Sequence, residues 1–121
     1  MQLESLEVTV QKEKLLREVC EMLNVSRRAV QGYEQAGLVE STGKNKYGYL
    51  LYNEESVEII RIIKQYQNFG FSVKEIKTLL EASEELYLKM MSKRLEGMYM
   101  QLDELTAQIK NAENLLEQKR K

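Results

Sequence analysis

The sequence predicts a mainly α-helical chain: a head of short helices and turns, then one long helix of the coiled-coil type. Three observations carry this. The 121 residues contain no Pro and six Gly, and five of those Gly lie between positions 32 and 70. Turns therefore belong to the head, and the last 50 residues read as nearly uninterrupted helix. Apolar residues in that tail recur at alternating spacings of three and four through four heptads. In the head, two short helical segments precede two short β-prone runs.

Composition narrows the function classes. Apolar residues at 43% and charged residues at 31% exclude global disorder. Lys and Arg number 18 against 19 Asp and Glu, a net charge of −1. That excludes a uniformly basic nucleic-acid coat but leaves room for a local basic patch. With no His and one Cys, a catalytic His, a His-ligated metal site and an intrachain disulfide are excluded. No run of about 18 apolar residues exists to span a membrane. Residues 1–12 lack the basic and apolar regions of a secretory signal. The expectation is a cytoplasmic, non-enzymatic protein with no cofactor and no membrane association.

The elements follow in order. In residues 1–12, an N-terminal arm, Leu6, Val8 and Val10 alternate with polar residues. That is the period of a strand, although a frayed arm fits as well. Residues 13–82 form the head. A first helix spans 16–23, with Val19 and Leu23 on one face, and Asn24 tolerates the left-handed conformation of a tight turn. Ser26 is a good N-cap for a second helix to about Gln35, with Val30 and Tyr33 facing inward. Ala36-Gly37 ends it, with Gly at the position after the cap. Leu38-Val39 and residues 49–52 are the β-prone runs. Residues 40–48 between them, rich in Gly, Lys, Asn, Ser and Thr, read as a hairpin with a polar, basic tip. Asn53 can cap a third helix over 54–69, carrying Val57, Ile60, Ile63 and Tyr66 on one face, and Gly70 breaks it. Ser72 and Glu75 form a capping box for a fourth helix through Leu80.

Residues 83–121 are the dimerisation helix. Leu88, Met91, Leu95, Met98, Leu102, Leu105, Ile109, Ala112 and Leu116 form an unbroken 3.5-residue repeat. Such a repeat specifies a left-handed coiled coil. The seam is about 42 Å long at about 1.5 Å per residue. A lone helix cannot bury its own stripe, and the simplest partner is a second copy of the chain.

Two short helices across a tight turn, followed by a hairpin, make a winged helix-turn-helix. The N-terminal residues of a helix seated in a major groove reach base edges. Here those are Ser26, Arg27, Arg28 and Gln31. Arg bridges guanine O6 and N7, Gln pairs with adenine, and a capped helix N-terminus suits a phosphate. Lys44, Lys46, Tyr47 and Tyr49 on the hairpin, with Arg61 and Lys64 on the third helix, are candidate backbone contacts. Tyr33 is a further candidate. Residues 26–49 carry two more basic than acidic side chains.

Longer segments carry a resemblance. Residues 16–26, Tyr33 to Val39, 48–55 and 68–77 are similar to the opening helix, the "YYExxGLL", the "GYRLYxxE" and the "xLGFSLEEIK" blocks of MerR-family transcription regulators. They stand in family order and spacing over roughly residues 14–119. The resemblance implies a winged helix-turn-helix, a second helix pair, and an antiparallel coiled-coil homodimer. It also implies binding to near-palindromic double-stranded promoter DNA with an overlong spacer. That DNA is bent and untwisted so that RNA polymerase engages both promoter elements.

Departures from the family pattern bear on function. Arg28 matches the first recognition-helix Arg, but Gln31 stands for the second. Gly32 replaces the first Tyr of the Tyr-Tyr pair, and Leu50 replaces a wing Arg that commonly meets phosphate. Altered or weaker DNA preference follows. The alternative is an interaction module that dimerises without binding DNA and sequesters other regulators. Cys20 reads as a buried structural thiol. Metal-sensing relatives place Cys near the end of the dimer helix, and this chain has none there. With the chain ending at Lys121, no fused effector-binding domain is expected. Neither an effector nor an operator is specified by these residues.

Overall fold

The computed structural model describes residues 13–121. The expected arm at residues 1–12, with its Leu6, Val8 and Val10 alternation, lies outside the described residues. In chain order the elements are β1 (Lys14–Leu15), α1 (Leu16–Leu23), α2 (Arg27–Gln35), β2 (Gly43–Lys44), β3 (Leu50–Tyr52), α3 (Glu54–Asn68), α4 (Val73–Glu81) and α5 (Glu84–Arg120). The chain divides into two compact units, one ending at Leu80 and one running from Glu81 to Lys121.

Local chemistry sets each helix boundary in the first unit. The Glu18 carboxylate accepts the Leu15 N–H at 2.9 Å, tying down the start of α1. Asn24 ends α1 in the left-handed region at φ 53°. Ser26 Oγ accepts the Ala29 N–H at 3.0 Å and opens α2. Gly37, at φ 78°, terminates α2 and lets the Leu38 N–H reach the Tyr33 carbonyl at 3.0 Å. Asn53 Oδ1 accepts the Ser56 N–H at 2.9 Å at the head of α3. The expected capping box of α4 is present: Ser72 Oγ accepts from Glu75 N at 3.1 Å and Glu75 Oε1 from Ser72 N at 2.9 Å.

The hairpin differs from the expectation. Leu38-Val39 forms no strand, and Val39 is instead a buried core residue. The outer strand is Gly43–Lys44, pairing Gly43 with Leu51 and Lys44 with Leu50. The turn decides this. Asn45 to Gly48 closes through a 3.0 Å bond from Gly48 N to the Asn45 carbonyl, with Gly48 at φ 83°. A tight turn followed by a left-handed Gly puts the paired strands directly on its flanks. Thr42 extends the pairing, its N–H donating to the Leu51 carbonyl at 2.7 Å. A third strand, not expected, completes an antiparallel sheet in the order β1-β3-β2. Lys14 opposes Tyr52 and Leu15 opposes Leu51.

The core of this unit is built from Val19 of α1, Val30 and Tyr33 of α2, Tyr52 of β3, Ile60 and Ile63 of α3, and Ile76 of α4, each at most 1% exposed. Positions 30 and 33, and 60 and 63, sit one helical turn apart, so each helix presents a single apolar ridge inward. Tyr66 packs edge-on against Phe69 and Phe71, with ring centroids 6.3 and 6.2 Å apart, at the corner before α4.

The second unit is the single helix α5, 37 residues and about 55 Å long. Ser83 Oγ caps it, accepting the Leu86 N–H at 3.2 Å. None of its residues is buried. Leu88, Leu95, Leu102, Leu105, Ile109 and Leu116 are each at least half exposed. No helix among the described residues is long and apolar enough to cross a membrane.

Candidate nucleic-acid interface

The buried ridge of α2 fixes which of its side chains face solvent. With Val30 and Tyr33 inward, a rotation of about 100° per residue puts Arg28, Gln31 and Gln35 on the opposite face. All three are exposed, as is Arg27 on the flank of that face. Ser26 is exposed beside them, and its Oγ is occupied as acceptor by the Ala29 N–H. Among the described residues, Arg27, Arg28 and Gln31 have no hydrogen-bond or ion-pair partner. Exposed polar side chains held on a helix, without a partner among the described residues, can serve an external one.

The hairpin tip is pinned by a side chain of its own turn. Asn45 Oδ1 accepts the N–H groups of Tyr47 and Tyr49 at 2.9 and 3.0 Å. This presents Tyr47 and Tyr49, 70% and 64% exposed. Lys46 stands over the Tyr47 ring, 5.1 Å from its centroid. Lys44 is exposed on β2. Behind the tip, the Tyr52 hydroxyl donates to Glu34 Oε1 at 2.7 Å and ties β3 to α2. Burial first, then the Glu34 hydrogen bond and charge, pushes the Tyr52 hydroxyl far above its ordinary value. It stays a donor at any ordinary pH.

Arg27, Gln31 and Tyr49 come together on one concavity of about 460 Å³ between the start of α1, α2 and the hairpin. Arg17 also lines it. Sequence reasoning missed Arg17, because its convergence with α2 and β3 is a tertiary event. The only local signal is its place next to the buried Leu16 on an exposed face.

Other expected contacts have partners within the chain. Tyr33 is 1% exposed, and its hydroxyl donates to Gln67 Oε1 at 2.5 Å. The same inward geometry that makes it a core residue withdraws it from any DNA surface. Lys64 Nζ donates to the Asn24 carbonyl. It braces the turn between α1 and α2, where the end of α1 leaves carbonyls unsatisfied. Arg61 pairs with Glu58, its Nε 2.9 Å from Oε2. That hydrogen bond holds the Glu58 carboxyl below its usual range. Cys20 is half-buried rather than fully buried. Burial pushes its thiol up, partly offset by the nearby Arg27 guanidinium. Among the described residues no cluster of His, Cys, Asp or Glu could hold a metal ion.

Comparison with known proteins agrees with this fold. Residues 16–83 match the model of the MerR HTH family regulatory proteins, and residues 57–121 match the MerR DNA-binding model. An uncharacterised HTH-type transcriptional regulator of Synechocystis is 30% identical over 86 residues, covering 65% of this chain and 63% of its own. The chain spans between 40% and 63% of the lengths of its first curated relatives. A MerR-family regulator from Bacillus cereus superposes with a TM-score of 0.75 at 19% identity, over 90% of this chain and 84% of its own. HiNmlR, a MerR-family regulator lacking the sensor domain and bound to promoter DNA, superposes with a TM-score of 0.66 at 19% identity. That alignment covers 80% of this chain and 78% of HiNmlR. The matched families are regulatory and DNA-binding, and the chain belongs to the MerR family of helix-turn-helix DNA-binding regulators.

Proposed function

We propose that the protein is a homodimeric regulator that binds and distorts near-palindromic promoter DNA. Each subunit presents the outward face of α2 to a major groove, with Arg28 and Gln31 toward base edges. Ser26, Arg27 and the hairpin residues Lys44, Lys46, Tyr47 and Tyr49 hold the backbone. The observation that carries this reading is the exposed Arg28–Gln31 face, without a partner among the described residues, on a capped helix flanked by a hairpin whose exposed tyrosines are pinned by Asn45. Family membership and a DNA-bound structural relative support it.

The partner for the exposed stripe of α5 is a second copy, paired antiparallel as the family resemblance implies. The length of that coiled coil then sets the distance between half-sites. Promoter DNA with an overlong spacer must be bent and untwisted before RNA polymerase can engage both elements, so specificity rests partly on deformation.

Arg28→Ala tests the groove assignment. The loss expected is about 1–3 kcal/mol, or roughly five- to 150-fold in affinity, with relaxed preference at one base step. Unchanged affinity would remove α2 from the groove. A dimer that binds no duplex at any salt would instead favour the sequestering module, a reading motivated by Gln31, Gly32 and Leu50 standing where the family carries Arg, Tyr and Arg.

A further inference from the structure

We propose that Arg17 and Arg27 form a clamp for one backbone phosphate of duplex DNA, seated in the concavity between α1, α2 and β3. The proposal rests on the DNA-binding reading above and assigns a role to a residue of α1, outside the α2 and hairpin contacts of that reading. Arg17 and Arg27 come from different helices, yet both line the same hollow. Arg28, one residue further along α2, does not line it. Neither clamp residue has a hydrogen bond or ion pair among the described residues.

No acid among the described residues forms an ion pair with Arg17. Glu18 is spent on the Leu15 N–H. Glu21 has the i, i+4 spacing for an ion pair with Arg17 and forms none; it lines a separate hollow with Lys14, Glu18 and Met22. Two guanidinium groups, one contributed by each helix, make a site for a single anion with several outward oxygens.

The remaining walls select the type of anion. Leu16 and Leu50 give the hollow an apolar side, and the exposed Tyr49 stands at its edge. An apolar wall next to a phosphate site suits a deoxyribose. A phosphate joined to sugars on both sides is the repeating unit of the DNA backbone. The hollow also opens beside Gln31, on the face of α2 that the groove would receive, so a backbone held here fixes the register of the bases read by Arg28 and Gln31. Leu50 carries no charge of its own, and the clamp supplies from the helix ends the positive charge that β3 lacks at that position.

The test uses the full chain and a fluorescein-labelled duplex of mixed sequence, followed by anisotropy between about 50 and 200 mM salt. Arg17→Gln should flatten the log–log salt slope by about one unit for each subunit bound, whatever the sequence. Over that fourfold salt range the wild-type affinity then falls roughly fourfold further than the variant's for each lost contact. Arg17→Lys keeps the charge and should restore most of the slope without the full affinity, because it lacks the fork. Arg17 is exposed and without a described partner, so the melting temperature of both variants should match the wild type. A wild type that binds duplex, with Arg17→Gln unchanged in slope and affinity, would overturn the clamp and leave the DNA-binding reading standing. A wild type that binds no duplex would overturn both. Inorganic phosphate and deoxyadenylate, titrated as competitors to about 10 mM, distinguish the source of the anion. Displacement of the wild-type duplex no greater than that of Arg17→Gln is expected, after correction for ionic strength. Selective displacement of the wild type would point to a free-nucleotide site and count against the backbone assignment.

Discussion

Gly32 stands in the middle of α2, in a helix whose backbone has no need of glycine. A Cβ built there meets nothing within 4 Å, and its φ lies outside the left-handed region. Gly in a helix interior costs about 1 kcal/mol relative to Ala, mostly in backbone entropy. Gly32→Ala should therefore stabilise the fold by about that amount in urea denaturation; a loss of stability would mean a contact at that surface unaccounted for by the packing. Tyr52 has the opposite character, since it is fully buried and bonded to Glu34. Tyr52→Phe should cost about 1–3 kcal/mol at neutral pH by leaving Glu34 without its donor. The same tyrosine links stability to alkali. Its folded value, like that of Tyr33, is raised by burial, whereas an unfolded tyrosine titrates near pH 10. Above about pH 10 the unfolded chain binds fewer protons than the folded one, so stability falls as pH rises. Denaturation curves between about pH 9 and 11 should show that decline, and it should be shallower in Tyr52→Phe. At this scale the sequence was informative wherever a side chain acts on its own backbone: Asn24, Ser26, Asn53 and the Ser72–Glu75 box all do what their residue types predict. It was silent on Tyr33–Gln67, Tyr52–Glu34 and Lys64–Asn24, which join residues 34, 18 and 40 positions apart.

Among the elements, the hairpin is where sequence patterning and structure part. Leu38-Val39 has the composition of a strand, yet Val39 serves the core, and the strand forms at the β-poor Gly43–Lys44. Turn chemistry outweighs β-propensity here, because the position of the Asn45–Gly48 turn dictates which residues can pair. β1 was illegible for another reason: two residues are too few to show an alternation. The sheet bears on the proposed site, since Leu15 of β1 and Leu50 of β3 line the same hollow as Arg17, Arg27 and Tyr49. Asn45 is the element's keystone in a concrete sense, as one side-chain oxygen accepts two backbone N–H groups. Asn45→Ala should leave helix content unchanged in circular dichroism. It should accelerate amide exchange at Tyr47 and Tyr49, and weaken duplex binding through disorder of the tip. Unchanged exchange at both amides would show that the tip is held by its backbone alone. The helices were legible because each shows a periodic apolar face together with a capping residue at its start, as in α2, α3 and α4, or an Asn or Gly stop at its end, as in α1, α2 and α3, with the heptad repeat serving for α5.

For the whole molecule, the long helix poses the main physical question. A 37-residue helix with its apolar seam half exposed gains nothing from that seam until something covers it. A homodimer answers this with the fewest assumptions, and Leu102→Lys puts a charge near the middle of the seam. That variant should sediment as a monomer at micromolar concentration and lose helical signal, whereas an undiminished dimer would place the interface elsewhere. The heptads made the helix and its stripe readable in advance; the orientation of the pair is not contained in them. The proposed binding face was readable in type and only partly in membership, because helix phase separates Arg28 from Tyr33 but cannot show that Arg17 and Arg27 line one hollow. The central claim is that this dimer reads DNA by sequence. The most direct test is to incubate the purified protein with sheared DNA from its source genome, at low and moderate salt, and to sequence what is retained. The account predicts enrichment of a near-palindromic promoter element with an overlong spacer, persisting at the higher salt. No enrichment at either salt, from protein shown to be folded and dimeric, would contradict it.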